Sequence, residues 1–443
     1  MSRAAIDTIV APATPVGRSA LAVVRVDGPH CPEIIQALAG RMPEVRQSTL
    51  TSLRMEGVTI DQAVVVRYEA PRSFTGNDML ELTIHGNPVL IRSLVDACIT
   101  LGARLAEPGE FSERAVLNGK LDLVQAESIA DLINARTSLQ ARLSLTNVAG
   151  RLSERASAIR ATLLDVISRL EAALDFAEEG YEFITRSEAR GKLVDAADNA
   201  AGMLATYERG RASHDGLSAV ILGRPNAGKS TLLNLLVGSD RAIVTSTPGT
   251  TRDILRETVE IGGLPVTFAD TAGLRTATEH VERIGVERAR AAALQADVIL
   301  YLVDAAEGMT AVDEAELRAV DGERARVLVV YTKVDLARAP AGACGISAET
   351  GAGIRQFLQQ LDGLVREAFV AEEGSLVNER QRLSVADCAE GLGAAIASVD
   401  AGHEEQIVLV DLYRSAAAIG ALTGAITNDE ILRQIFGKFC IGK

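Results

Sequence analysis

The sequence predicts a multidomain protein of mixed α+β and α/β class. It comprises an N-terminal α/β domain, a central all-α domain, and a phosphate-loop α/β domain inserted into the helical one. Three changes of texture carry this. Strand-like apolar runs punctuated by Gly and Pro fill the first part of the chain. An Ala-, Leu-, Arg- and Glu-rich stretch almost without Gly or Pro follows. At Gly216 strands begin to alternate with helices around a Gly-rich loop. The expected boundaries are 1–119, then 120–213 together with 375–443, and 214–374 for the insert.

Within the first domain, Ala20–Val26, Ala63–Tyr68 and Met79–His85 have the β-branched, apolar character of strands, and a helical pattern follows Pro88. From Leu121 to Glu179, Ile129, Leu132, Ile133 and Leu139 recur at helical spacing, so long packed helices are expected. Leu217–Leu222 reads as a buried strand running into a Gly-rich loop and then a helix from Lys229. Glu257–Ile261, Pro265–Ala269, Val298–Val303 and Val327–Tyr331 supply further strands, which implies a mainly parallel sheet covered on both faces. Gly/Ser-containing joints are expected at Gly210–Gly216 and Glu372–Ser375, and helices return after Gly374.

Composition narrows the classes. With 443 residues, 47% apolar and 23% charged, the chain can bury sizeable cores and is not of disordered composition. Its 45 basic and 59 acidic residues leave a net charge of −14, which excludes a general nucleic-acid coat; an RNA partner must be met by a local basic patch or by shape. Cys31, Cys98, Cys344, Cys388 and Cys440 are scattered without a CxxC pair, which points to a reducing cytoplasm rather than a disulfide framework or zinc site. No histidine pair suits a transition metal, no apolar run suits a membrane span, and the first residues lack a secretion-type pattern.

Four segments carry chemistry. Gly223–Ser230, GRPNAGKS, fits GxxxxGK[ST] between a strand and a helix. Its backbone N–H groups, from Asn226, Ala227 and Gly228 into Thr231, wrap phosphates; Lys229 brings positive charge to the β and γ groups, and Ser230 offers a hydroxyl to Mg²⁺. Asp270, Thr271, Ala272 and Gly273 follow a strand, where an Asp holds Mg²⁺ through water and the Gly273 amide senses the γ-phosphate. TKVD at Thr332–Asp335 contributes Lys333 and the guanine reader Asp335, whose carboxylate accepts two N–H bonds that adenine does not offer. Ser347 and Ala348 follow a short strand-like ACGI and supply a backbone N–H to the guanine oxygen.

These four segments, in this order, resemble the Ras-like GTPases. GxPNxGKS, TPGTTRD and DTAGLR are similar to the translation-factor-related branch, and the flanking regions with the ending FCIGK (Phe439–Lys443) resemble the MnmE (TrmE-type) family of tRNA modification GTPases over essentially the whole chain. Two departures from Ras-type patterns stand out. The guanine segment begins with Thr332 rather than Asn, which implies some loss of nucleotide affinity. Leu274 stands where Ras-type enzymes place a water-orienting Gln.

The resemblance implies replacements. Asn226 with Thr245, Thr247 and Thr250 would ligate a K⁺ ion, in a loop that also includes Ser246, Pro248 and Gly249; Thr251 would join Ser230 on Mg²⁺. Glu282 would orient water, and Arg252 and Arg275 could support the loops around the phosphates. Read alone, each of these three is a solvated surface charge.

For the N-terminal domain the resemblance implies a formyl- or methylene-tetrahydrofolate site involving Arg25, Glu81, Lys120 and Lys443. A carboxylate such as Glu81 can accept the adjacent donors of a pterin edge, and cations suit its glutamate tail. Each residue alone reads as an ordinary salt-bridge or surface group. Cys440 is a candidate thiol for the modification chemistry, where a lone Cys ordinarily reads as a small buried hydrophobe. The implied function is K⁺-dependent GTP hydrolysis coupled to addition of a carboxymethylaminomethyl-type group at C5 of the wobble uridine, position 34. A homodimer would work with an FAD- and NADH-dependent partner, MnmG, in a heterotetramer on tRNA. The chief alternative is a ribosome-assembly GTPase switch without modification chemistry; a folate enzyme with a regulatory GTPase insert is a third reading.

Overall fold

A computed structural model describes residues 7–15, 17–176, 181, 183–238, 241, 243, 257–268, 293–320, 325–425, 432, 435–437, 439 and 442. The chain divides into two compact units, 1–130 with 148–168 and 412–443, and 131–147 with 169–411.

In the first unit the elements are β1 (Thr8–Pro12), β2 (Ser19–Asp27), α1 (Cys31–Ala39), β3 (Thr49–Met55), β4 (Val58–Tyr68), β5 (Met79–Gly86), α2 (Pro88–Thr100), β6 (Ala103–Leu105) and α3 (Glu110–Leu117). The six strands form one sheet in the order β3-β4-β5-β2-β1-β6, antiparallel except for the β1–β6 pair. Ile34, Ile35, Leu80, Leu82 and Leu94 form its core. α2 begins sharply because Asn87 accepts a hydrogen bond from the Val89 N–H and Pro88 occupies the first helical position, where no N–H is needed. The register sets Arg25 opposite Glu81 on β2 and β5.

Helices α4 (Leu123–Asn134), α5 (Ser138–Val148) and α6 (Arg151–Asp175) follow, as the long Ala/Leu-rich stretch predicts. α4 carries a reciprocal cap: the Gln125 N–H donates to Asp122 Oδ1 at 2.9 Å and the Asp122 N–H to Gln125 Oε1 at 3.0 Å.

The second unit continues through α7 (Arg186–Leu204) and α8 (Tyr207–Asp215) into β7 (Leu217–Gly223) and α9 (Lys229–Val237). Then come β8 (Glu257–Ile261), β9 (Leu264–Phe268), β10 (Val298–Asp304), α10 (Ala311–Val320), β11 (Arg326–Thr332), β12 (Cys344–Gly345) and α11 (Ile354–Phe369). α12 (Glu379–Asp400) and α13 (Glu405–Thr423) complete the described elements. The sheet order is β12-β11-β10-β7-β9-β8, parallel except for the β8–β9 hairpin. Every residue of β10, VILYLVD, is buried, as a central parallel strand covered on both faces requires.

The joint expected at Gly210–Gly216 is largely helical, because α8 runs to Asp215. Gly210 faces the backbone of Leu376, and a Cβ on it would come within 1.8 Å of the Leu376 carbonyl oxygen. Ser213 Oγ donates to Phe369 O at 3.2 Å and accepts the Ala371 N–H at 2.9 Å, while Thr206 Oγ1 accepts the Leu376 N–H at 3.2 Å. The chain therefore leaves the α/β sheet beside the place where it enters it.

Candidate nucleotide and folate sites

β7 delivers the phosphate loop. Gly223 has φ +133°, and a Cβ there would come within 2.3 Å of Leu302 O on β10, so only glycine fits. Asn226 and Gly228 are left-handed, φ +63° and +90°, and turn the loop so that α9 starts at Lys229 with its N–H groups at the loop's mouth. Lys229 Nζ donates to the carbonyls of Gly223 (2.8 Å) and Arg224 (2.7 Å), lying across the loop. Ser230 is half-buried at the second helical position, Asn226 and Thr231 are exposed, and Ala227 is buried. Arg224 is anchored on Gly308 O at 2.9 Å and on Asp313 Oδ1 at 3.2 Å.

β11 brings the base-reading segment against this loop. Thr332 Oγ1 donates to Ala227 O at 2.9 Å, and Thr332 is 5% exposed. Its hydroxyl thus braces the phosphate loop. Lys333 has φ +56° and its Nζ meets Asp304 Oδ2 at 2.7 Å. Burial pushes the Asp304 carboxyl up, but the hydrogen bonds from Lys333 and the Ala306 N–H with the nearby charges outweigh it and hold the group below the usual range. Asp335 is exposed beyond this pair. Buried Ser347 spends its N–H on Ala352 O at 2.9 Å, which leaves exposed Ala348 to offer one to a base.

Thr245, Ser246, Thr247, Pro248, Gly249, Thr250, Thr251, Arg252, Asp270, Thr271, Ala272, Gly273, Arg275, Glu282, Cys440 and Lys443 lie outside the described residues.

In the first unit, Arg25 meets Glu81 Oε1 through Nε (2.9 Å) and a terminal nitrogen (2.8 Å), and Tyr68 OH reaches Oε2 at 3.3 Å. The Arg25 guanidinium also lies 5.6 Å from the centre of the Phe74 ring. Lys120 Nζ donates to Pro71 O at 3.0 Å, tying the 70–77 loop to the end of α3.

EPGEFSERA, Glu107–Ala115, builds a buried ionic network. Arg114, 1% exposed, contacts Asp7 (2.7 Å), fully buried Asp27 (2.9 Å) and Glu110 (3.0 Å). Asp27 in turn accepts from Thr75 Oγ1 and from Asn77 Nδ2, the latter at 3.0 Å, so the network fixes the loop that carries Phe74. Burial raises Glu110, but hydrogen bonds from Arg104 and the Glu107 N–H, with the charges of Arg114 and Arg104, bring its carboxyl below the usual range. Glu110 and Arg114 stand at i and i+4 of a helix, which was the one available signal. Near the C-terminus, Phe436 and Phe439 stack at 5.2 Å, and a Cβ on Gly109 would lie 2.6 Å from Phe436 O.

A phosphate loop following a parallel strand, an Asp-bearing segment following the strand two places away in the same sheet, and a hydroxyl brace between them define a GTP-binding protein of the P-loop class. A family model described as the GTP-binding protein TrmE N-terminus matches residues 8–120, and the MnmE helical domain matches 123–440. The tRNA modification GTPase MnmE of Azoarcus sp. (strain BH72) is 41% identical over 99% of this chain and 98% of its own length. That of Neisseria meningitidis serogroup C (strain 053442) is 40% identical over 99% of both. The chain belongs to the MnmE family of tRNA modification GTPases, and is an enzyme that hydrolyses GTP.

Proposed function

We propose that this GTPase is K⁺-dependent and serves, with an MnmG-type FAD/NADH partner, to add a carboxymethylaminomethyl-type group to C5 of wobble uridine 34 of certain tRNAs, drawing one carbon from a tetrahydrofolate. The observation that carries the folate part is the Arg25–Glu81 pair beside Phe74. Arg25 occupies one carboxylate oxygen of Glu81. The other receives only a long bond from Tyr68, so it can take the amino edge of a pterin, while Lys120 stands near for an anionic tail. Lys443 and Cys440 join this site in the same reading.

The side-chain carbonyl of Asn226 suits a hard monovalent cation beside the phosphates, with Thr245, Thr247 and Thr250 completing its shell. Ser230 and Thr251 suit Mg²⁺, which neutralises charge on the β- and γ-phosphates when bound. Lys229 holds the γ-phosphate in place, Asp335 with the Ala348 N–H selects guanine, Ser347 fixes the turn that presents Ala348 through its own N–H on Ala352 O, and Glu282 orients water in place of the missing Gln. Arg252 and Arg275 steady the surrounding loops. The domains follow 1–119, 120–213 with 375–443, and 214–374, with dimerisation through the first. The neighbouring positions of Gly210 and Leu376, where the sheet is entered and left, favour such an insertion. No described helix is long and apolar enough to cross a membrane, which accords with a cytoplasmic setting.

Mass-spectrometric analysis of tRNA nucleosides from cells with and without the protein tests the reading. Loss of aminomethyl-type wobble uridines is expected. An unchanged profile with abnormal ribosomal subunits would replace it with an assembly switch.

A further inference from the structure

α5 touches two parts of the nucleotide domain that matter to the site. Leu139 packs on the edge of the core formed by Ile261, Leu264 and Val266. A Cβ on Gly263, in the β8–β9 turn, would lie 3.1 Å from Leu139 Cδ2. On the other side of that turn a Cβ on Gly262 would come within 2.9 Å of Val365 on α11. The two glycines are thus pressed between α5 and α11 with no room to spare.

Gln140, 8% exposed, uses its whole amide. Nε2 donates to Ser213 O (3.0 Å) and His214 O (2.9 Å), and Oε1 accepts the Arg136 N–H at 2.9 Å. Ser213 and His214 end α8, which leads through Gly216 into β7 and the phosphate loop.

The sequence positions of the two strands give these contacts their meaning. TTRD (250–253) lies just before β8, and DTAG (270–273) lies just after β9. Each segment is continuous in sequence with a strand that ends at the Gly262–Gly263 turn, and that turn lies against Leu139. Tightly packed contacts shift between discrete arrangements rather than yielding smoothly.

We propose that Leu139 and Gln140 are positioning residues for GTP hydrolysis: α5 braces the turn joining the strands next to TTRD and DTAG, and the helix end that feeds the phosphate loop. By linkage, a nucleotide that favours one arrangement of the turn must equally change the stability of α5. This rests on the GTPase site described above, so the phosphate-loop peptide serves as its control.

The test is hydrogen–deuterium exchange of the full chain with GDP and with a non-hydrolysable GTP analogue, alongside steady-state hydrolysis. Peptides covering 223–231 gain protection with either nucleotide, and those covering 134–147 differ between the two. Leu139→Ala lowers kcat by about 3- to 10-fold with KM changed less than about twofold, and abolishes the 134–147 difference. Leu139→Met, which keeps the volume, restores both. Equal exchange of 134–147 in both nucleotide states, or an unaltered difference in Leu139→Ala, overturns the proposal. Absence of protection at 223–231 would instead remove the nucleotide site itself, and this inference with it.

Discussion

The hydroxyl of Thr332 donates to the carbonyl of Ala227 at 2.9 Å, tying the end of β11 to the phosphate loop across 105 residues of sequence. A second, longer contact to Val303 O at 3.3 Å joins it to β10. Thr332→Val keeps the shape and removes the donor. With the Ala227 carbonyl left without it, GTP binding should weaken by about fivefold, the equivalent of roughly 1 kcal/mol, as measured by fluorescent-nucleotide titration. Unaltered affinity would mean that the brace does not support the loop.

Asp335 is the residue proposed to select the base. Asp335→Asn exchanges a double acceptor for a group that suits xanthine, so preference should move from GTP toward xanthosine triphosphate by about two orders of magnitude in kcat/KM. Retained GTP preference would move the base reader elsewhere.

Asn226 sits at φ +63°, so Asn226→Ala carries a backbone strain of about 1 kcal/mol that Asn226→Gly does not. Both variants should lose the excess of hydrolysis in K⁺ over Na⁺, with the Gly variant binding GDP as wild type does. K⁺ stimulation surviving in Asn226→Gly would exclude this side chain from the cation shell.

Arg114→Leu leaves fully buried Asp27 without its counter-ion, while Glu110 keeps Arg104. Breaking a buried pair from one side costs about 3–5 kcal/mol, so the first unit should melt roughly 10 °C lower by calorimetry. Folate binding should fall as well, because the same network holds the loop that carries Phe74.

His214 is hydrogen-bonded to Asp131 Oδ1 at 2.9 Å and to Asp215 Oδ1 at 2.7 Å, and these bonds with the two charges raise its pKa from 6.5 to about 10 against the opposing effect of burial. The folded state therefore holds a proton that the unfolded chain gives up near its ordinary value. The resulting stabilisation is complete below pH 6.5 and is lost as pH rises toward 10. Urea midpoints measured between those limits should fall more steeply for wild type than for His214→Gln. Parallel slopes would show that the histidine is not held protonated.

The phosphate loop was legible because its chemistry is written in consecutive residues and its flanks have unmistakable textures. The strands of the parallel sheet were legible for the same reason: a run such as Val298–Asp304, buried throughout, is apolar at almost every position. β1 and β3 were harder. The first is only TIVAP, and the second, TLTSLRM, is mostly half-exposed, so neither shows a clean alternation. The ion cluster around Arg114 was hidden because its members come from three separate stretches, Asp7, Asp27 and the Glu110–Arg114 turn, and meet only when β1, β2 and α3 assemble. The partner of Thr332 was hidden for a related reason. Its residue type says what it can donate, but only the approach of β11 to the loop says to whom.

The first unit draws on 1–130, 148–168 and 412–443, whereas everything the second needs has been made by residue 411. A Cβ on Gly442 would lie 2.1 Å from Pro12 O, so a residue made after the second unit is fitted against β1, made before it. Translation at about 5–20 residues per second therefore imposes an order of assembly. On the ribosome the GTP-binding sheet can close while the first unit still waits for its segment beyond residue 411. A nascent chain halted short of that segment would carry a finished nucleotide domain and an unfinished first unit.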